Sequence, residues 1–146
     1  MDDGPILICY DGSASAERAI ATGGRLFGRR RAVVLDVGPL QEVAEAYAAV
    51  GSDAAALDRL TFDAAAARAD AGAELARAAG FRAQGRARVD APTWHGVVEG
   101  ADEIGAAAIV IGSRGLSGIK ELLEGSFSHQ VATHAGRPVL IVPPPH

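Results

Sequence analysis

The sequence contains one cysteine, Cys9, which excludes an internal disulfide and fits a reducing, cytoplasmic setting. Cys9 lies inside an apolar run and reads as a small core residue. Lysine is almost missing: Lys120 is the only one among fourteen basic residues, and the heavy use of Arg, Ala and Gly reads as coding bias. Fourteen basic residues against eighteen acidic leave a net charge of −4, which argues against a general nucleic-acid binder. No apolar run approaches the roughly 18–20 residues of a membrane helix, so no membrane association is expected. Asp2 and Asp3 stand where a secretory leader would be basic, and Ile6–Cys9 is too short for its apolar segment. G-x4-G-K-[ST] and G-x-G-x-x-G are both absent, which excludes a P-loop and the dinucleotide fingerprint. Without a G-x-S-x-G elbow, Ser126 and Ser128 beside His129 make a thin case for a hydrolase. The four histidines include His129 and His134, five apart and off the i, i+4 spacing that would share a zinc ion.

A length of 146 residues with 49% hydrophobic and 22% charged residues fits one globular domain spanning 1–146. Ile6–Tyr10 is a continuous apolar run stopped by Asp11-Gly12-Ser13, as expected of a strand buried on both faces. Ser13 is a fair N-cap for a helix over Ala14–Phe27, in which Gly23-Gly24 costs about 1 kcal/mol per glycine unless close packing needs it. Arg29-Arg30-Arg31 suggests a basic patch or, as the plainer reading, a basic complement to that helix's C-terminal dipole. Ala32–Val37 is a second strand. Ala-rich sequence then predicts a short helix over 41–50 and a firm one over about 54–79. Phe81–Val89 alternates polar and apolar residues like an edge strand, and Thr93–Ile104 is helical. Ala106–Ile111 is a buried strand, Ser126–Ala135 the last helix and Pro138–Val142 the last strand. Alternation of strand and helix predicts an α/β fold: a five-stranded, parallel, doubly wound sheet with helices on both faces. Such a sheet binds ligands beyond the carboxyl ends of its strands, which directs attention to the residues after Tyr10, Val37 and Ile111.

After the fourth strand comes Gly112-Ser113-Arg114-Gly115, nine residues, then Gly125-Ser126-Phe127-Ser128, a G-x2-G-x9-G-S pattern. Glycine permits close approach of backbone to a ligand. Gly125-Ser126 is expected to open a helix whose unpaired N–H groups favour an anion, with Ser126 and Ser128 adding hydroxyl donors. Asp11 is the only carboxylate at the end of a central strand beside this crevice, suited to a ribose or magnesium contact or, alternatively, to capping a tight turn. Arg114 is open to phosphate contact or to solvation, and Lys120 is a looser candidate. Ile119, Leu122 and Leu123 read as anchors of the nine-residue segment.

The glycine pattern is similar to that of the universal stress protein family in its ATP-binding branch. Asp11-Gly12-Ser13, Val33–Val37 and Arg137–Pro143 resemble the family's first turn, second strand and last strand. The resemblance implies that Asp11 lies near the ribose and the phosphate-bound Mg²⁺, and that Val37 packs on adenine. Ile111 and Gly112 would line the adenosine pocket, while Gly115, Gly125, Ser126, Phe127 and Ser128 wrap the phosphates. Tyr10 stands where the family commonly has a smaller residue and is counted with the nucleotide-contacting positions. Pro92–Gly96 departs from the family's aliphatic helix start, and Trp94 either closes the pocket or fills the core. The expected function is that of a cytoplasmic, nucleotide-responsive module binding ATP with Mg²⁺. Rivals are a slow ATPase and a dimeric interaction module that binds no nucleotide. A homodimer through the apolar edge strand Val139, Leu140, Ile141 and Val142 is also expected, from its unpaired edge and from the resemblance.

Overall fold

The computed structural model describes residues 3–37, 54–90, 92–112 and 121–144, apart from the side chains of residues 54, 57, 58 and 121–126. The helix expected over 41–50 lies outside the described residues. The elements are β1 (Ile6–Cys9), α1 (Ala14–Phe27), β2 (Arg31–Val37), α2 (Ala54–Ala78) and β3 (Arg82–Arg88). They continue with α3 (Thr93–Ile104), β4 (Ala108–Gly112), α4 (Glu121–His134) and β5 (Val139–Val142). All strands pair in parallel, in the order β3-β2-β1-β4-β5. The expected five-stranded sheet forms, with β3 and β5 at its edges.

Successive residues of a strand point to opposite faces, so the apolar run of β1 feeds two cores. Ile6 and Ile8 pack with Ala19 and Ile20 of α1 and Ala73 and Ala76 of α2. Leu7 and Cys9 pack with Val97 and Ala101 of α3 and Val131 of α4. Helices therefore cover both faces. The cap predicted for α1 is present: the Ser13 hydroxyl accepts the Ala16 N–H at 3.1 Å. At its far end α3 stops at Gly105, whose left-handed φ of 62° directs its N–H to the Ala101 and Asp102 carbonyls. Gly24 has a packing reason, because a Cβ there would stand 2.5 Å from the Ala79 carbonyl oxygen at the end of α2.

Two expectations are corrected. The last helix begins at Glu121, not Ser126, because Glu121-Leu122-Leu123-Glu124 are strong helix formers. Gly125 and Ser126 thus sit in its second turn, where N–H groups bond back along the helix instead of remaining free. The arginine triplet does not complement the α1 dipole; Arg25 is the basic residue of that last turn. Arg29 takes a left-handed φ of 71°, Arg30 Nη2 donates to the Gly4 carbonyl at 2.6 Å, and Arg31 starts β2. Among the described residues no helix is long and apolar enough to cross a membrane.

Candidate functional site

β1 and β4 lie side by side, yet β1 leads to α1 on one face of the sheet and β4 precedes α4 on the other. The chain parts at their carboxyl ends, and this is the switch point of the sheet. Gly12 turns there with φ 85°, a conformation open to glycine at little cost. Asp11 Oδ1 accepts the Ser13 N–H at 2.9 Å, so the carboxylate does shape the turn that caps α1. Among the described residues Oδ2 of Asp11 has no hydrogen-bond partner, and the side chain is partly exposed. The end of β4 closes on the same turn. A Cβ on Gly112 would stand 2.8 Å from the Ser15 carbonyl oxygen, so this motif glycine is required by protein packing as well as suited to ligand approach.

Other predicted positions are placed less openly. Val37 and Ile111 are buried beneath α3 and α4, with Val37 methyl groups against the backbone of Gly96. Tyr10 is buried on the opposite face, its ring packed on Gly72 of α2. Burial pushes its phenol pKa up, helped by the Glu17, Asp11 and Asp36 carboxylates. The Cys9 thiol is pushed up by burial as well, and it is the core residue expected. Phe127 packs against the α3/α4 core. Ser128 Oγ is buried without a hydrogen-bond partner among the described residues, an orphaned hydroxyl in the predicted phosphate segment. Arg114, Gly115, Ile119 and Lys120 lie outside the described residues, and of Leu122, Leu123, Gly125 and Ser126 only the helical backbone is described. Trp94 packs against the core and stacks on His134 at 4.6 Å between ring centroids.

A feature missed in the sequence stands beside the crevice. Asp36, near the carboxyl end of β2, is fully buried, and Arg68 from α2 grips both its oxygens. Nε donates to Oδ2 at 2.6 Å and Nη2 to Oδ1 at 2.9 Å. Desolvation still raises the Asp36 pKa, against the lowering effect of Arg68, and the Asp11 charge adds to the rise. An acidic residue inside Val33-Val34-Leu35-Asp36-Val37 was the available signal, since a buried carboxylate requires a partner.

Among the described residues one group of metal-type ligands comes together: Asp90, His95 and Glu99 offer atoms within 4.8 Å of one another. Arg88 already supplies a cation there, with Nη2 3.0 Å from Glu99 and 3.8 Å from Asp90. At the other edge of the sheet, β5 exposes Ile141 and buries Val142, with Val139 and Leu140 between these extremes.

The model of the universal stress protein family matches residues 4–143. Universal stress protein YxiE of Bacillus subtilis (strain 168) is 50% identical over 48 residues, covering 33% of this chain and 32% of that protein. The match thus spans about a third of the curated relative's length. Among solved structures, the hypothetical protein MJ0577 shares the fold with a TM-score of 0.76, at 23% identity over 100% of this chain and 99% of that one. A universal stress protein in complex with cAMP is 28% identical with a TM-score of 0.68, covering 95% and 96% of the two chains. One from Archaeoglobus fulgidus in complex with dAMP shares the fold at 23% identity and a TM-score of 0.60, covering 97% and 99%.

Proposed function

The chain belongs to the universal stress protein family, and on that premise we propose that its β1/β4 crevice binds an adenine nucleotide, ATP with Mg²⁺, as a cytoplasmic nucleotide-responsive module. The observation that carries this reading is the convergence of the Asp11 turn and Gly112 at the switch point, with one Asp11 oxygen left without a partner among the described residues. Relatives of this fold in complex with cAMP and dAMP support an adenine ligand.

The donor set suits such a ligand. Asp11 Oδ2, unpartnered among the described residues, would accept a ribose hydroxyl or ligate Mg²⁺, a hard cation that prefers carboxylate oxygen. Ser128 Oγ lacks an acceptor among the described residues, and a phosphate oxygen would provide one. Gly115 would let backbone N–H groups approach the phosphates. Because α4 begins at Glu121, phosphate binding rests on this glycine segment and the Ser126 and Ser128 hydroxyls, without a helix start at Gly125. Mg²⁺, when bound, neutralises phosphate charge. Val37 and Ile111 would supply the apolar side of the adenosine pocket, from the core that Phe127 packs against.

The same reading includes a two-fold dimer through β5, where exposed Ile141 lies on an edge strand with pairing capacity. Calorimetric titration with Mg-ATP tests the pocket: the parent should bind one nucleotide per chain, and Asp11→Asn and Ser128→Ala should each bind more weakly. Unchanged affinity in both variants would place the nucleotide elsewhere or nowhere.

A further inference from the structure

Among the described residues the outer edge of β3 pairs with no other strand. In a parallel ladder a residue directs both its N–H and its C=O to one neighbour, and the next residue directs both the other way. Arg82 donates its N–H to the Arg30 carbonyl at 3.0 Å and pairs with Arg31, so Arg82, Gln84, Arg86 and Arg88 face β2. Ala83, Gly85 and Ala87 face outward. The Ala83 carbonyl is taken by Arg77 Nε at 3.0 Å, as that geometry requires. Among the described residues nothing hydrogen-bonds to the outward groups of Gly85 and Ala87.

Side chains along this edge are sorted by charge. Arg82, Gln84 and Arg86 are exposed and, by register, share the sheet face of Val33 and Leu35. They border an open cavity of about 800 Å³ whose lining includes Arg31, Val33 and Ile104. Arg86 has no ion pair among the described residues, and Arg82 and Arg31 reach only the backbone carbonyls of Arg29 and Asp3. Glu103, the acid at this cavity, is held by Arg88 at 2.7 Å. A basic patch thus stands on a chain of net charge −4. On the other face of β3, Arg77 is engaged by Glu74 and by the Ala83 carbonyl, and Asp70 Oδ1 lies 2.8 Å from where a Cβ on Gly85 would be.

We propose that β3 accepts an extended acidic peptide segment of a partner protein as a sixth strand, with Glu or Asp at alternate positions opposite Arg82 and Arg86. Side chains on one face of a strand recur every second residue, about 6.6–6.8 Å apart, so such a peptide sets its carboxylates along the arginine row. Its intervening side chains meet Asp70 and must not be acidic. Main-chain bonds to Gly85 and Ala87 supply affinity, and the alternation supplies specificity.

Two labelled peptides of one composition test this on the full chain by fluorescence anisotropy at low salt. One alternates Thr and Glu from end to end; the other gathers its Glu residues in the middle. The alternating peptide should bind at least about tenfold more tightly. It should also slow amide exchange at Gly85 and Ala87 while leaving Gln84 and Arg86, whose N–H groups already bond to β2, unchanged. Arg82→Glu/Arg86→Glu should lose the peptide and gain an alternating Thr-Lys peptide, which also shows that the variant is folded. Equal affinity for the two acidic peptides would overturn the strand geometry. Displacement by tripolyphosphate with no change in Gly85 and Ala87 exchange would make this a small-anion site and overturn the proposal, as would no binding by any of them.

Discussion

Arg68→Met removes the guanidinium from a fully buried carboxylate while keeping an unbranched side chain on α2. Breaking a buried pair from one side costs about 3–5 kcal/mol, since the remaining charge is left uncompensated. The Arg68 side chain retains 22% exposure, so water reaches the site and the lower end, about 3 kcal/mol, applies. For a chain of this size that is a fall in Tm of about 6–12 °C at neutral pH. The pH dependence fixes the cause. In the parent, folded Asp36 already has a pKa raised above its ordinary 3.8 by desolvation. A group raised on folding favours the native state below its unfolded pKa, and that stability is lost as pH rises through the folded value. Without Arg68 the two lowering influences vanish and the folded value climbs further. The variant's deficit should therefore shrink as pH is lowered from neutral toward the unfolded aspartate range, and Asp36→Asn in the same background should recover much of it. Thermal melts across this range decide the matter. A variant that melts within about 2 °C of the parent, or whose deficit is independent of pH, would refute the uncompensated-charge reasoning.

Arg29→Gly should stabilise the fold by about 0.5 kcal/mol in urea titrations, because φ 71° strains Arg29 and its N–H bond to the Gly80 carbonyl survives the change. Gly112→Ala should destabilise by about 2 kcal/mol in the same assay, since the added methyl meets the Ser15 backbone at the start of α1. Ile141→Lys should shift the protein from dimer to monomer by light scattering; a fully dimeric variant would count against the β5 interface. Gly115→Ala should weaken ATP binding in calorimetry with little change in Tm.

Most of the architecture was legible because it follows from local physics. The strand runs Ile6–Cys9 and Ala108–Ile111 are apolar without interruption, and α1 and α3 start and end where Ser13 and Gly105 place them. The start of α4 was misread because Gly125-Ser126 looks like a helix opening, whereas the propensity of Glu121–Glu124 carries the helix past it. Gly112 was read as a ligand-approach glycine, and its contact with Ser15 could emerge only when residues 97 positions apart met. The same holds for Asp36 and Arg68, which are 32 residues apart and on different elements. Periodicity reports which face a residue takes, not which partner arrives there.

Native mass spectrometry of the purified chain with and without Mg-ATP tests the central claim most directly. The account predicts a dimer that takes up to one ATP per chain, with occupancy reduced in Asp11→Asn. A dimer that stays empty at saturating Mg-ATP would contradict it and leave the fold as an interaction module without a nucleotide.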